Sequence, residues 1–351
     1  MRLLFLTIVV FATITTAVSQ SGRMTRYSET ADVTIIRPRP TASPNSEPAE
    51  SHVIRVETDL VMISVRVTSR RGQPTTGIRR NEFRLFEGDV EQELAYFSGE
   101  DQPFTVAVML DMSYSTVFKL QEIQSAAIAF VDQLRPQDRV MIVAFDENVR
   151  ILCELTNDRK VLRYAIAGAR IGSGTSVYGA IELVLSRHFR HIVGRKAIVL
   201  LSDGVDTSSS GPTANDVLTL TRSTDVIVYP IRYNTYEDVM KNRRKDAQVL
   251  YDDNDRAYVV RSPLVRGERI GDYREAREFL NQIANQTGGR VYRVNSTTNV
   301  RSAFAQIADE LRKIYGLGYY PSEHRRSGSL SIRVRVYRPD LSVQTIDTNV
   351  K

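Results

Sequence analysis

The sequence predicts an α/β fold in which a mostly parallel, doubly wound central sheet is joined to a small β-sandwich-like module. Between residues 103 and 315, apolar runs alternate with segments of helical periodicity, which is typical of a parallel sheet covered by helices on both faces. Short strand-like segments lie on both sides of that region. The 351 residues are 42% hydrophobic and 25% charged, so the chain can form one large domain and one or two small ones.

The first 19 residues have the features of an export signal. Arg2 supplies a positive charge, residues 3–18 are apolar with several threonines, and small residues precede a predicted cleavage after Ser19. The alternative is an uncleaved membrane anchor, which we disfavour because the apolar stretch is short for a bilayer span. We therefore expect an exported protein, periplasmic or extracellular. Residues 20–52 are rich in Ser, Thr and Pro and predict a disordered linker.

The β-module is predicted from two separate segments, residues 53–100 and 316–351, of which the second either completes the module or forms a hairpin beside it. Alternating apolar and polar residues indicate strands at 53–58, 60–67, 83–90, 93–97, 316–321 and 330–337. Several short strands separated by turns at this spacing are typical of a small sandwich.

The α/β domain is predicted over residues 103–315. Its strands are predicted at 104–110, 139–145, 149–155, 196–201, 226–231 and 290–294, and its helices at 116–134, 158–169, 177–192, 213–224, 273–287 and 298–314. In the first helix, Leu120, Ile123, Ala127 and Phe130 recur at helical spacing and form one apolar face. Residues 235–271 interrupt this pattern with dense charge and predict an inserted, solvated or disordered loop.

Five oxygen-bearing side chains follow predicted strands or precede predicted helices. Asp111, Ser113 and Ser115 come directly after the strand at 104–110, Thr175 lies in a glycine-rich loop, and Asp203 follows the strand at 196–201. The carboxyl ends of parallel strands meet at one edge of a sheet, where ligands bind. Oxygen ligands suit Mg²⁺, and a set with only two carboxylates leaves the ion able to accept a carboxylate from another molecule. The alternative is helix capping, because Asp, Ser and Thr are favoured N-caps.

Residues 103–315 resemble a von Willebrand factor type A domain with a metal-ion-dependent adhesion site. The resemblance rests on the five residues above and on the flanking residues 174–181 and 202–207. Residues 65–88 and 315–321 resemble segments that flank this domain in exported proteins common in Acidobacteria. The resemblance implies a Rossmann-like fold, a bound Mg²⁺ or Mn²⁺ ion, and ligand binding without catalysis. The chain departs from the family at Tyr114, where a small residue is usual, and in the 235–271 insertion.

Our leading hypothesis is an exported, non-enzymatic adhesion or scaffold protein. It would bind an acidic side chain of a partner protein through the divalent ion, in contact with the cell envelope or extracellular matrix. The alternatives are a metal-dependent hydrolase of the envelope, for which we find no general base, and a purely structural scaffold. The net charge of +6 is spread along the chain without a recognition motif, so we expect no specific nucleic-acid binding.

Overall fold

The computed structural model of the protein describes residues 60–71, 73–99, 102–245, 248–251, 256–260, 262–295, 297–321 and 332–346. The predicted export signal, the predicted linker at 20–52 and the predicted strand at 53–58 lie outside these residues. None of the helices in the described ranges combines the length and the apolar character that a bilayer span requires.

Although the predicted strand at 83–90 is divided into two, and the strands at 248–251, 257–260 and 341–346 were not predicted, the described strands include most of the predicted ones. They are β1 (Val61–Ser69), β2 (Phe83–Glu87), β3 (Val90–Gln92), β4 (Tyr96–Ser98), β5 (Thr105–Asp111), β6 (Arg139–Phe145), β7 (Val149–Thr156), β8 (Lys196–Leu201), β9 (Val226–Arg232), β10 (Gln248–Tyr251), β11 (Ala257–Val260), β12 (Tyr292–Arg293), β13 (Ile314–Tyr319), β14 (Ile332–Val336) and β15 (Leu341–Ile346).

The helices of the described ranges include one that the sequence did not predict. They are α1 (Leu120–Gln133), α2 (Arg159–Ala167), α3 (Val177–Leu183), α4 (Ala214–Thr221), α5 (Tyr236–Lys245), α6 (Ile270–Gln286) and α7 (Thr297–Arg312). A 3₁₀ turn, Tyr114–Lys119, precedes α1, and a π-helical turn, Val184–His188, extends α3.

The central sheet has the strand order β12-β9-β8-β5-β6-β7, and all of its pairs are parallel except β6 with β7. Val106 and Val108 of β5 face a core formed with α1, α2 and α7, whereas Ala107 and Met109 face a core formed with α3, α4 and α6. Burial on both faces explains why these strands are almost continuously apolar. The predicted doubly wound α/β fold is therefore confirmed.

The prediction that residues 235–271 form a solvated or disordered loop is wrong for the described part of that segment. It contains α5 and the antiparallel hairpin of β10 and β11. The first turn of α5 carries Glu237 and Asp238, and its last turn carries Arg243, Arg244 and Lys245. Negative charge at the start and positive charge at the end of a helix complement the helix dipole. The charged residues of α5 are therefore compatible with a helix and do not require a loop.

The β-module is built from both ends of the α/β domain. Its two sheets have the orders β15-β1-β13-β4 and β14-β2-β3, and all of the described pairs are antiparallel. Phe83 and Leu85 of one sheet share a core with Val65, Tyr315 and Leu317 of the other. The rings of Phe83 and Tyr315 are 5.1 Å apart between centroids. Two packed antiparallel sheets with a common core are the arrangement of a sandwich.

Buried polar contacts join this module to the central domain. The guanidinium of Arg66 on β1 donates to the Gly288 carbonyl at 3.1 Å and lies 3.6 Å from the Glu310 carboxylate on α7. The buried Arg195 side chain donates to the carbonyls of Leu311 (3.2 Å) and Ile314 (3.0 Å). These bonds hold the end of α7 and the start of β13 in place.

Candidate metal centre

Two of the predicted ligands lie side by side at the carboxyl edge of the central sheet. Asp111 is the last residue of β5, and Asp203 follows the end of β8 by two residues. These strands are parallel neighbours, and Leu110 is paired with Leu201. Both aspartates are buried. The structure therefore brings together two carboxylates that the sequence separates by nearly a hundred positions.

The Asp111 carboxylate is held by its neighbours on both oxygens. Its Oδ1 accepts from the Ser113 backbone N–H at 3.0 Å, and its Oδ2 accepts from the Ser202 hydroxyl at 2.6 Å. The Ser202 Oγ also accepts from the Gly204 N–H at 2.9 Å. Ser202 thus ties the loop that carries Asp203 to the end of β5.

The Asp203 carboxylate is linked to the inserted segment. Its Oδ1 accepts from the Val205 N–H at 2.9 Å, and its Oδ2 accepts a short hydrogen bond from the Thr235 hydroxyl. The Thr235 Oγ1 lies 3.2 Å from the Tyr273 hydroxyl of α6. Sequence reasoning assigned no role to Ser202, Thr235 or Tyr273, and only the position of Ser202 beside Asp203 could have suggested one.

The two predicted serine ligands lie in the turn after β5. Their hydroxyl oxygens are 2.9 Å apart, and Ser113 is buried. Ser113 occupies the N-cap position of the 3₁₀ turn, but its side chain accepts no capping hydrogen bond there. The turn is fixed instead by Thr116, whose hydroxyl donates to the Ser113 carbonyl at 2.7 Å. Capping therefore does not account for Ser113.

Thr175 is held through its backbone. Its N–H donates to the Thr207 hydroxyl at 2.9 Å, and its carbonyl accepts from the N–H groups of Thr207 (2.9 Å) and Ser208 (3.0 Å). The same loop contacts the residue after Asp111, because the Gly172 N–H donates to the Met112 carbonyl at 2.8 Å. Across the described residues, the hydrogen bonds of Thr175 use only its backbone, so its hydroxyl is left for a ligand.

The nearby Asp206 has a structural role. Its Oδ2 accepts from the Tyr178 N–H in the first turn of α3 at 3.1 Å and from the Ser209 hydroxyl at 2.5 Å, and its Oδ1 accepts from the Ser209 N–H at 3.1 Å. A carboxylate on these N–H groups stabilises a helix start and the turn beside it. Asp206 therefore stabilises the start of α3, a capping role that was the alternative to metal binding for the predicted ligands.

We expect Gly172→Ala to destabilise the protein by about 2 to 3 kcal/mol, because there is no room for a Cβ. A Cβ at this position would lie 2.1 Å from Oδ2 of the buried Asp146, which is fixed by bonds from the Asn148 N–H (2.8 Å) and the Arg150 guanidinium (2.6 Å). Urea unfolding measures the loss. The matched control is Gly271→Ala in α6, where a Cβ meets no atom within 4 Å. Similar stability of the two variants would contradict the tight packing of the Thr175 loop.

The electrostatics of the site favour a cation. Complete burial, and then the charge of Asp203, raise the pKa of Asp111 to about 7. Burial also raises the pKa of Asp203, against weaker opposing effects that include the charges of Lys119 and Arg232. The Tyr233 hydroxyl is buried beside these carboxylates without a hydrogen-bond partner of normal geometry. A positive ion at this point would offset the cost of two buried negative charges.

The predicted donor set consists of oxygen atoms and fits a divalent cation. Within the described ranges, no group of three or more His, Cys, Asp or Glu side chains is placed to hold a metal ion. The predicted set has two carboxylates and three hydroxyls, which are oxygen ligands of the kind that Mg²⁺ and Mn²⁺ accept.

The inserted segment lies next to this edge. The Lys119 ammonium, at the end of the 3₁₀ turn that contains Ser115, is 3.4 Å from the Asp238 carboxylate on α5. Asp238 in turn lines an open cleft of about 1040 Å³ between α5 and residues 262–264. Tyr114 in the 3₁₀ turn is 64% exposed, so its ring does not fill the site.

A family model described as von Willebrand factor type A domain matches residues 106–205. No curated protein matches the sequence. One similar solved structure is a von Willebrand factor type A protein from Catenulispora acidiphila, with 13% identity over 73% of this chain and 50% of that chain and a TM-score of 0.43. Another is the vWF domain of the type V pili tip protein Mfa5 from Porphyromonas gingivalis (12% identity, 60% of this chain, 95% of that chain, TM-score 0.42).

A third similar structure is proximal thread matrix protein 1 from the mussel byssus with a zinc-occupied MIDAS motif (16% identity, 60% of this chain, 48% of that chain, TM-score 0.42). The resemblance of the flanking segments to Acidobacteria proteins stays a prediction. The family match covers β5, β8 and the loops between them, including all five predicted ligands. Residues 106–205 are therefore similar to the von Willebrand factor type A domain family.

Proposed function

We propose that this domain binds a divalent cation and, through it, an acidic group of a partner protein. The cation would be held by Asp111, Ser113, Ser115, Thr175 and Asp203. The observation that carries the proposal is the pair of adjacent, buried carboxylates, Asp111 and Asp203. Two buried negative charges at one point are costly unless a cation or protons neutralise them.

The ligand set supports Mg²⁺ or Mn²⁺ and an open coordination position. Three of the five ligands are neutral hydroxyls, so the ion would keep a net positive charge after the two carboxylates bind. That charge would attract a further carboxylate from outside the chain. The turn after β5 is accessible, as the exposure of Tyr114 indicates.

We propose binding and not catalysis as the role of this site. The hydroxyls of Ser202 and Thr235 contact the two aspartates, and the hydroxyl of Tyr233 lies beside them. Hydroxyls of these types are not proton acceptors near neutral pH, and burial raises the pKa of Tyr233 further. Together with the predicted export signal, this supports an adhesion or scaffold protein of the cell envelope or extracellular matrix.

Binding of Mn²⁺ and of an acidic peptide tests the proposal. Free Mn²⁺ measured by electron paramagnetic resonance gives the metal affinity of the wild type, Thr175→Val and Thr175→Ser. We expect Thr175→Val, which removes the hydroxyl at similar size, to weaken Mn²⁺ binding at least about tenfold. Thr175→Ser retains the hydroxyl and should stay near the wild type.

A glycine-rich peptide with one aspartate should then bind in Mn²⁺ and dissociate on addition of EDTA, while its asparagine counterpart should not bind. Equal Mn²⁺ affinity of Thr175→Val and the wild type would contradict the ligand assignment. Peptide binding that is insensitive to EDTA would contradict the proposed function.

A further inference from the structure

Three arginines gather at the sheet edge next to the proposed metal centre. Arg232 ends β9, Arg293 ends β12, and the two are paired in register on parallel strands. Val226 and Val228 of β9 face the core formed with α6, so strand alternation places Arg232 on that face as well. The charges of Arg293 and of Arg277 on α6 are close enough to lower the pKa of Arg232, after the larger effect of its burial.

An acidic group near these arginines is Asp203, whose charge opposes the lowering of the Arg232 pKa without forming an ion pair with it. Among the residues that the structure describes, none of the three guanidinium groups makes an ion pair or a hydrogen bond, and the Nε of Arg232 is buried without an acceptor. Some arginines elsewhere in the described part of the chain are paired, such as Arg150 with Asp146 and Arg338 with Glu82, whereas exposed ones such as Arg190 are not. Arg232 differs from the exposed arginines because its Nε is buried. A buried donor without an acceptor is unfavourable, and three neighbouring positive charges repel one another. An anion at this place would relieve both costs.

We propose that Arg232, Arg277 and Arg293 form an anion subsite that takes a second carboxylate of the acidic partner segment. This inference rests on the proposed function, because the first carboxylate is the one that binds the cation. Guanidinium groups present planar pairs of N–H donors that match the two oxygens of a carboxylate. The partner would therefore be a protein segment with at least two acidic residues.

The sheet order sets the spacing of those residues. The strands run β12-β9-β8-β5 along the edge, with the arginines at the first two strand ends and the metal-binding aspartates at the last two. Neighbouring strands are about 4.8 Å apart, so the two centres lie roughly 10 Å from each other. A peptide in the polyproline II conformation advances about 3.1 Å per residue and repeats its side-chain direction every third residue. Two carboxylates three positions apart would therefore point to the same face and reach both centres when the segment crosses the strand ends.

Three synthetic peptides test this spacing on the full-length protein in Mn²⁺. The first has two aspartates three positions apart among glycines, the second has asparagine in place of the second aspartate, and the third has two asparagines. We expect the first to bind the wild type about tenfold more tightly than the second, the gain that one charge-assisted contact provides. That ratio should fall to about one in Arg232→Gln and Arg293→Gln.

The matched control is Arg190→Gln, an exposed arginine in the turn before β8, at the opposite edge of the sheet. It should keep the wild-type ratio and, like Arg293→Gln, the wild-type Mn²⁺ affinity, which also reports correct folding. Arg232→Gln removes a positive charge that acts on Asp203 and should bind Mn²⁺ at least as tightly as the wild type. Equal affinity of the wild type for the first two peptides would overturn the subsite and leave the proposed function standing. Absence of Mn²⁺-dependent binding by either peptide would contradict both. Arginine-dependent binding of a polyuronate oligosaccharide, but of neither peptide, would overturn the assignment of a protein segment.

Discussion

Saturating Mg²⁺ or Mn²⁺ is expected to raise the thermal unfolding midpoint of the wild-type protein and to leave that of Asp111→Ala unchanged. A ligand that binds only the folded state stabilises it by about 4 kcal/mol at a thousand times its dissociation constant. For a folded unit of this size, that corresponds to a rise of roughly 7 °C. Asp111→Ala removes one of the two charged ligands at the end of β5, so little metal should bind. Differential scanning calorimetry in metal and in EDTA measures both shifts.

The matched control for this experiment is Asp309→Ala. Asp309 lies on the exposed surface of α7 and pairs with Lys313 at 2.6 Å. It should show the full metal-dependent rise. A rise of the same size in Asp111→Ala would show that the stabilising ion binds elsewhere, and the absence of a rise in the wild type would contradict a preformed metal centre.

In the absence of metal, the protein is expected to lose stability as the pH rises from about 4 to about 7. Burial, and then the charge of Asp203, raise the pKa of Asp111 from 3.8 to about 7 in the folded state. Between these values the folded protein holds a proton that the unfolded chain has released. Unfolding is therefore favoured progressively as pH increases, by up to about 4 kcal/mol across the window.

Urea unfolding in EDTA across this pH range measures the slope. Asp111→Asn keeps the size of the side chain and cannot ionise, so its stability should vary much less with pH and exceed that of the wild type at neutral pH. Saturating Mg²⁺ should remove the slope in the wild type, because a bound cation favours the ionised carboxylates. A wild-type stability that rises with pH in EDTA would contradict the raised pKa of Asp111.

The strands that position the site were predictable because each is buried on both faces. The residues of β5 and β8 are apolar on both faces, so neither strand can lie at the protein surface. The polar residue that ends each apolar run must then lie at the sheet edge. The boundaries of β6 and β8 agree with the prediction at both ends. The long apolar runs were therefore sufficient to predict the fold and the positions of Asp111 and Asp203 at the sheet edge.

The contacts between side chains were not predictable in the same way. The hydrogen bond from Ser202 to Asp111 and the one from Thr235 to Asp203 join residues 91 and 32 positions apart. A serine or threonine has no sequence pattern that identifies its partner, since the pairing depends on how loops meet after folding. The charged residues of α5 were misassigned because a helix with no buried residue lacks an apolar face to reveal it.

The pairing of β1 with β15 has a mechanical consequence. Ser64 is paired with Ile346 and Ser69 with Leu341, so the start of β1 and the end of β15 lie at the same end of one antiparallel ladder. Tension between these two points would break the hydrogen-bonded pairs of the ladder one after another. The load would not be shared by all of the pairs at once. Peeling of β15 would lengthen the protein while β1 stays bound to β13. The edge that carries Asp111 and Asp203 would keep its shape during this extension.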